Sequence, residues 1–268
     1  MTTSITDKEF ALFQRFIFDA AGITLSESKK ALVSSRLSKR LDERRLSSFA
    51  DYFKVLSSGQ DAQEVQVAID LLTTNETYFF RESKHFELLR EQAEQARGRS
   101  TPFKVWSAAC STGEETYSIA MVLAATLQYA PFEVLGSDIS SRVLDRARTG
   151  HYPVSRATHI PRAYLQQFCL RGTQDQEGTI LVDRPLRERV RFMLINLNTT
   201  LPRIGPFDVI FLRNVMIYFS ADTKRQVAER ALSVLKPGGY LLIGHAETLN
   251  ELNVNAIAVA PSIYRKPG

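Results

Sequence analysis

Residues 105–121 read VWSAACSTGEETYSIAM: an apolar run, a bend of small residues holding one glycine, two glutamates, then apolar residues at helical spacing. Strand, tight turn and helix in this order predict the entrance to a nucleotide-type site in an α/β domain. A dinucleotide loop needs glycines at three set positions, and a P-loop ends in Gly-Lys-Ser/Thr. Neither pattern is present. Glu114 and Glu115 at the helix start suit the helix dipole but repel a phosphate, so the expected ligand is cationic or at least phosphate-free. Cys110 reads as a small residue that lets the bend close.

S-adenosylmethionine fits that description, with an α-ammonium, a sulfonium and a ribose diol but no phosphate. Glu115 is expected to accept from the ammonium, while Glu114 serves the helix start. Further along, VLGSDIS places Asp138 at the end of the next strand, where an acidic residue accepts from ribose hydroxyls. Taken singly, Glu115 as a helix-start charge and Asp138 as an N-cap are equally good readings.

Working outward, strands near 103–109 and 132–137 alternate with helices near 114–128 and 140–149. Later strands are expected at 189–195, 207–212, 240–244 and 257–265, with a helix at 221–235 closed by KPGG. Such alternation predicts βαβ units and a mostly parallel sheet. Residues 151–188 break the rhythm and read as a short helix and an inserted hairpin, the subdomain proper spanning about 155–188. The first third is helical instead. Thr6-Asp7-Lys8-Glu9 forms a capping box ahead of Phe10, Phe13, Ile17 and Ala21, with Gly22 as the stop. Thr24-Leu25-Ser26-Glu27 is a second candidate box, opening a helix with Val33, Leu37 and Leu41 on one stripe. Helices near 48–57 and 61–72 follow. The expected division is a helical domain over 1–72, a linker and connecting helix over 73–98, and an α/β domain over 99–268.

The 268 residues suffice for a full core, and 44% hydrophobic with 24% charged residues is ordinary for a globular chain. No apolar run reaches the length of a membrane span, and MTTSITDKEF lacks a signal-peptide pattern, so cytoplasmic residence without membrane insertion is expected. Two cysteines, Cys110 and Cys169, stand far apart, and neither a disulfide nor a zinc site is expected. His85, His151, His159 and His245 are scattered, with no metal-ligand spacing. His85 reads as a helix-surface residue; His245 reads as a pocket neighbour or a structural hydrogen-bonding group. Trp106 reads as core. The net charge of +5 suggests an acidic partner. Lys29, Lys30, Arg36, Lys39, Arg40, Arg44 and Arg45 outnumber Asp42 and Glu43 by that same excess, and Lys29, Arg36, Arg40 and Arg44 share one helical face.

The strings NETYFFRE, VWSAACSTGEETYSIA, SDIS, FDVIFLRNVMIYF and LKPGGYLLIGHAE, in this order and spacing, resemble the CheR family of chemotaxis receptor methyltransferases over nearly the whole chain. The resemblance implies a Rossmann-like class I S-adenosylmethionine-dependent methyltransferase domain, a small N-terminal all-helical domain and an inserted β-hairpin subdomain. It also implies methylation of glutamate side chains on chemoreceptor signalling helices, giving γ-methyl esters, with S-adenosylhomocysteine as product. Among site residues it implicates Asn75, Thr77, Arg81, Asn196, Leu197, Arg213 and Asn214 in cofactor contact, beside Glu115 and Asp138. Arg81 and Tyr218 are expected to aim the substrate carboxylate, and Phe219 reads as core. No metal is expected.

Two partner surfaces and an oligomeric state follow. The basic helix would meet glutamate-rich receptor helices, Arg171-Gly172-Thr173 and Gly178 would carry a receptor C-terminal peptide by β-augmentation, and the protein would act as a monomer. Two other classes compete: a nucleic-acid methyltransferase, and a non-catalytic cofactor or receptor-binding module. Amino-methylating enzymes of nucleic acids carry an Asn/Asp-Pro-Pro-Tyr/Phe loop; here the corresponding stretch is Arg-Asn-Val-Met-Ile-Tyr, without prolines.

Overall fold

The computed structural model describes residues 4–128 and 130–268; the opening Met1-Thr2-Thr3 lies outside them. α1 (Asp7–Ala21) starts on the expected box: Thr6 accepts from the Glu9 amide, the Glu9 carboxylate accepts from the Thr6 amide, and Gly22 ends the helix at φ 72°. Its buried stripe of Phe10, Phe13, Ile17 and Ala21 meets α2 (Lys30–Arg44), α3 (Phe49–Ser57) and α4 (Ala62–Leu72) in one core with Val33, Leu37, Leu41, Phe49 and Tyr52.

The second expected box does not form. Thr24 donates its amide to the Tyr218 carbonyl at 2.8 Å, and Ile23 forms a β-bridge with Phe219. The segment is thereby held extended against a distant loop, and only a short 3-10 turn, Glu27–Lys29, precedes α2. A tertiary backbone pairing here outweighs the local capping signal.

α5 (Lys84–Gln95) leads into β1 (Phe103–Ala108), α6 (Glu114–Leu127), β2 (Phe132–Asp138) and α7 (Ser141–Thr149). The inserted region holds β3 (His151–Pro153), α8 (Arg162–Phe168), β4 (Cys169–Arg171), β5 (Thr179–Val182) and α9 (Arg184–Arg187). The chain closes with β6 (Val190–Leu194), β7 (Phe207–Leu212), α10 (Ala221–Ser233), β8 (Leu235–Ile243), β9 (Ile257–Ala260) and β10 (Ile263–Arg265).

Among the described residues the main sheet has seven strands, in the order β6-β2-β1-β7-β8-β10-β9. The first five are parallel, and β10 and β9 turn back antiparallel at one edge. β7 is buried at every position, as a parallel strand covered on both faces must be. Each fully buried Phe or Leu there stabilises by roughly 1.5–3 kcal/mol. Trp106 is fully buried and donates to Ser137 Oγ at 2.9 Å, so the core reading of that residue holds.

Three expectations about elements are corrected. KPGG does not close the α10 helix but lies inside β8, where the pairing with β7 jumps from Phe207↔Leu235 to Val209↔Tyr240. The extra residues bulge outward around Gly238, at φ 74°. The last expected strand is a hairpin of two strands, β9 and β10. The insertion is more than a hairpin: β5 pairs with β4 on one side and with β3 on the other, giving a three-stranded sheet that begins at His151. It is rooted in the main core through Tyr152, Ile160, Phe168, Ile180 and Val182.

The helical unit is tied to the carboxyl ends of the strands by hydrogen bonds. Asp70 of α4, buried, accepts from the Ser141 amide at 2.9 Å, from Ser141 Oγ at 2.8 Å and from the Arg142 amide at 3.3 Å. It thus satisfies free amides at the start of α7 from outside that helix. Gln66 Nε2 donates to the Ile139 carbonyl at 2.9 Å, and Asn196 Nδ2 to the Ala20 carbonyl at 2.6 Å.

Candidate active site

Ligands of open α/β sheets bind outside the carboxyl ends of the strands where strand order reverses. β1 is that point here, flanked by β2 and β7. A cavity of about 570 Å³ opens at these ends, with the helical unit as its opposite wall. That volume suits a small-molecule site.

The cavity is lined by every candidate drawn from the sequence. Asn75, Thr77 and Arg81 enter from the linker; Glu115 from the first turn of α6; Asp138 from the end of β2; Asn196 and Leu197 from beyond β6; Arg213, Asn214 and Tyr218 from beyond β7. Nothing in the periodicity of the chain brings these five segments together; the sheet order does.

The turn after β1 achieves its tightness without a glycine at every strained position. Ala109 and Ser111 adopt φ 74° and 51°, and Gly113 sits at φ 95°. A side chain at Gly113 would approach Ala147 Cβ to 2.8 Å, so this glycine serves close packing of the turn on α7. Asp138 fastens the turn by accepting from the Ser111 amide at 2.9 Å, and it accepts from the Ser140 amide at the same distance. Both oxygens keep a further lone pair for a ligand. Burial pushes its carboxyl above the usual carboxylate range, against the pull of the Ser140, Ser111 and Ile139 amides.

Glu115 lies against the cavity, with Ser107 Oγ donating to it at 2.7 Å and Arg213 Nη1 ion-paired with it at 3.2 Å. Burial raises its pKa, opposed first by Arg213 and then by the Ser107 hydroxyl. Glu114 does more than serve the helix start. It is fully buried, takes a 2.6 Å hydrogen bond from Thr112 Oγ1, and pairs at 3.1 Å with Arg156 Nη2 of the insertion. The pair fastens the small sheet to the turn.

Arg213 is nearly fully buried and shared. Its Nη2 donates to the Arg81 carbonyl at 2.6 Å and stands 3.2 Å from Glu82 Oε2, while Nη1 faces Glu115. Two partly buried carboxylates thus divide one guanidinium, which leaves this wall with excess negative charge complementary to a cation. Asn214, at φ 56°, donates Nδ2 to Glu82 Oε1 at 3.3 Å, and its amide donates to Glu247 Oε2 at 2.9 Å.

Asn196 lines the cavity, but its side chain is occupied: Oδ1 accepts from the Asn198 amide at 2.9 Å and Nδ2 reaches Ala20. What it offers a ligand is backbone. Leu197, largely buried, presents an apolar surface. Arg81 is the looser group, with Nη1 donating to the Glu76 carbonyl at 3.3 Å and the guanidinium 5.7 Å from the Tyr78 ring centre. Burial raises the pKa of Tyr218, only partly countered by Arg81 and Arg36, so its phenol keeps its proton at neutral pH. Phe219 is buried, in agreement with a core role.

The basic face of α2 is largely consumed internally. Arg40 Nη2 and Arg44 Nη2 stand 2.5 and 2.7 Å from Glu64 Oε2; Arg44 also reaches Asp61 at 2.6 Å, and Arg40 pairs with Glu43. Glu64 is buried and also accepts from Tyr52 at 2.7 Å. Arg36 Nη1 donates to the Leu71 and Thr73 carbonyls, each at 3.0 Å, and with Lys29 lines the cavity. A face expected to meet a partner is thus half structural anchor and half cavity wall.

One histidine also departs from expectation. His85 is buried, not surface, with Nε2 2.8 Å from Ser262 Oγ; burial, with help from Arg213, lowers its pKa to about 4. His245 lies outside the cavity lining, its ring 5.4 Å from that of His85. The sequence reading missed Glu82 and Glu247, which organise the loop after β7. Both stand inside the motif strings, as the acidic residues of FFRE and GHAE, and that position was the available signal.

A parallel-stranded sheet with an antiparallel end hairpin, a glycine-poor turn and two carboxylates facing one cavity, one at a helix start and one at a strand end, defines an S-adenosylmethionine-dependent methyltransferase. The chain matches "CheR methyltransferase, all-alpha domain" over residues 8–73 and "CheR methyltransferase, SAM binding domain" over residues 75–263. It belongs to the CheR methyltransferase family. It is 43% identical over 266 residues to the "Chemotaxis protein methyltransferase" of Escherichia coli K12, covering 97% of this chain and 91% of that protein. It is 41% identical to "Chemotaxis protein methyltransferase 2" of Pseudomonas aeruginosa, covering 97% and 93%. The similarity to the Borreliella burgdorferi "Chemotaxis protein methyltransferase" is 36%, covering 99% and 96%.

Proposed function

We propose that this methyltransferase esterifies glutamate side chains on the signalling helices of chemoreceptors in the cytoplasm. The observation that carries the reading is the division of charge across the cavity. The strand-end wall supplies Glu115 and Asp138, while the helical-unit wall supplies Lys29 and Arg36, with Arg81 from the linker between them. A cation and an anion can therefore be held side by side.

Bound S-adenosylmethionine supplies an electrophilic methyl group on sulfur. Glu115 accepts from its ammonium, Asp138 from its ribose hydroxyls, and the backbone at Asn196 with Leu197 holds the adenine. Asn75, Thr77, Arg213 and Asn214 complete the pocket, Arg213 chiefly by keeping Glu115 in place. A glutamate carboxylate is already ionised near pH 7, its unperturbed pKa being about 4.3, so no general base is required. Arg81 and Tyr218 donate to the carboxylate and orient it. Donors also reduce nucleophilicity, so activation falls to exclusion of water by the covering helical unit, with positioning worth about 7–11 kcal/mol in favourable cases.

On partners, Lys29 and Arg36 steer an acidic helix to the cavity, whereas Arg40 and Arg44 act through Glu64. The β4 edge, with Leu170 57% exposed, suits an added peptide strand. We also propose a division into a helical domain ending near residue 72 and a methyltransferase domain from about residue 99, supported by the separate helical core.

The test is transfer of labelled methyl from S-adenosylmethionine to chemoreceptor-containing membranes, followed by mild base. Base-labile, volatile label on receptor glutamates is expected. Label in RNA or DNA, with none released from receptors, would overturn the assignment in favour of a nucleic-acid methyltransferase; no transfer at all with intact cofactor binding would favour a binding module.

A further inference from the structure

We propose that Glu82, His85 and His245 form a binding site for a divalent transition-metal ion of the Zn²⁺ class, lying behind Arg213 and outside the cofactor cavity. One carboxylate oxygen and one ring nitrogen from each histidine lie within 4.8 Å of one another. His85 Nδ1 is 3.5 Å and His245 Nε2 is 3.8 Å from Glu82 Oε2. Tetrahedral zinc with bonds of about 2.0–2.1 Å separates its ligands by about 3.3–3.4 Å. Two of the three edges are therefore within about half an ångström of the required length. The third is adjustable because the His245 side chain is 56% exposed, which also gives an ion access and leaves the fourth position to water.

A second, independent observation points to a cation. Ser262 Oγ donates to the Pro261 carbonyl at 2.6 Å, so in its contact with His85 Nε2 it acts as acceptor from Nε2–H. His85 Nδ1 is then a bare lone pair, in a side chain only 1% exposed, directed at Glu82 Oε2. Among the described residues, neither atom has a hydrogen-bond partner. Two buried acceptors face each other, the carboxylate oxygen offset only by its ion pair with Arg213 Nη2 at 3.2 Å, an arrangement that costs free energy and that a second cation would relieve. The remaining contacts resemble those that hold metal ligands: Ser262 fixes the imidazole tautomer, and Asn214 Nδ2 and the His245 amide hold Glu82 Oε1 at 3.3 and 3.4 Å.

Arg213 gives the site a consequence. Its Nη2 lies 3.2 Å from the same Glu82 oxygen, so a dication and the guanidinium compete for one carboxylate. With the ion bound, Arg213 shifts its charge toward Glu115, which becomes less available to a cationic ligand. The metal is thus a negative effector of cofactor binding, transmitted through a single side chain; only this coupling rests on the assignment of Glu115 to the cofactor.

The experiment uses the full chain stripped with chelator. Co²⁺ is added as a spectroscopic probe, Zn²⁺ binding is followed by calorimetry, and S-adenosylhomocysteine is titrated with and without saturating Zn²⁺. One equivalent of Co²⁺ with the visible bands of a low-coordinate nitrogen–oxygen site is expected. H245A, an exposed position, should weaken metal binding at least tenfold, and H159A, at another exposed histidine, should leave it unchanged. Zn²⁺ should weaken S-adenosylhomocysteine binding about fivefold or more in the wild type and not in H245A. Absence of stoichiometric binding, or binding indifferent to H245A, would overturn the site. Binding at the site with unaltered cofactor affinity would overturn the coupling through Arg213.

Discussion

Replacing Glu115 with Gln tests whether charge, and not shape, selects the cofactor. The amide keeps the size of the side chain, and its oxygen still accepts from Ser107 Oγ, now at 2.7 Å. Arg213 loses one partner but retains Glu82 at 3.2 Å. Removing a desolvated charge offsets the lost ion pair, so stability should change by less than about 1 kcal/mol. A charged hydrogen bond to the ligand ammonium is worth about 1.5–3 kcal/mol, and about 1.4 kcal/mol is tenfold. Affinity for S-adenosylhomocysteine should therefore fall about 10- to 150-fold by calorimetry, with the melting temperature nearly unmoved. Methylthioadenosine, which lacks the amino-acid part, provides the control and should bind E115Q and wild type alike. Equal losses for both ligands, or none for either, would refute the assignment of Glu115 to the ammonium.

The same carboxylates set a pH dependence. Burial raises the pKa of Glu115 and Asp138, so they take up protons at higher pH than exposed carboxylates. The stability they contribute is present below the unfolded pKa and lost as pH rises through the raised folded value. Cofactor affinity runs the other way and should decline as pH falls into that raised range; a flat calorimetric profile down to pH 4 would contradict it. Arg81→Ala should cut methyl transfer by a hundredfold or more while leaving the fold intact, since the side chain makes a 3.3 Å contact to Glu76, a ring contact and a long 4.0 Å ion pair with Glu82; turnover within twofold of wild type would remove Arg81 from the reaction. Glu64→Ala leaves Arg40, Arg44 and the Tyr52 hydroxyl without their shared acceptor. It should cost about 3 kcal/mol in denaturant unfolding, the low end of what breaking a buried pair costs, because the two arginine side chains remain 21% and 34% exposed. A loss below about 1 kcal/mol would return these arginines to the role of a free docking face.

The strands β1, β2 and β7 were legible because a buried parallel strand writes itself as an apolar run, and the ends of those runs point at Ala109, Asp138 and Arg213. Motif strings added residues that no periodicity marks, such as Asn75 and Tyr218. What stayed hidden depended on partners far along the chain. Thr24-Leu25-Ser26-Glu27 has the chemistry of a helix start, and the backbone of Tyr218, with the Ile23–Phe219 bridge beside it, makes it an extended segment. Arg40 and Arg44 look like a solvated face until Glu64, 24 and 20 residues away, is placed beneath them. KPGG reads as a stop, but β7 has a strand position beside it and absorbs the glycines as a bulge. His85 lies on a helix whose covered face is decided by Ser262, 177 residues later.

The capping of α7 by Asp70 bears on how freely such domains can be recombined. The helix belongs to one unit and its acidic cap to the other, so excision of the helical part uncovers free amides on the catalytic side and strands a buried carboxylate on its own. Neither part is an interchangeable module. A chimera carrying a foreign helical unit must bring an acid to the position of Asp70, and partner specificity transplanted with that unit is inherited together with a share of the catalytic domain's stability.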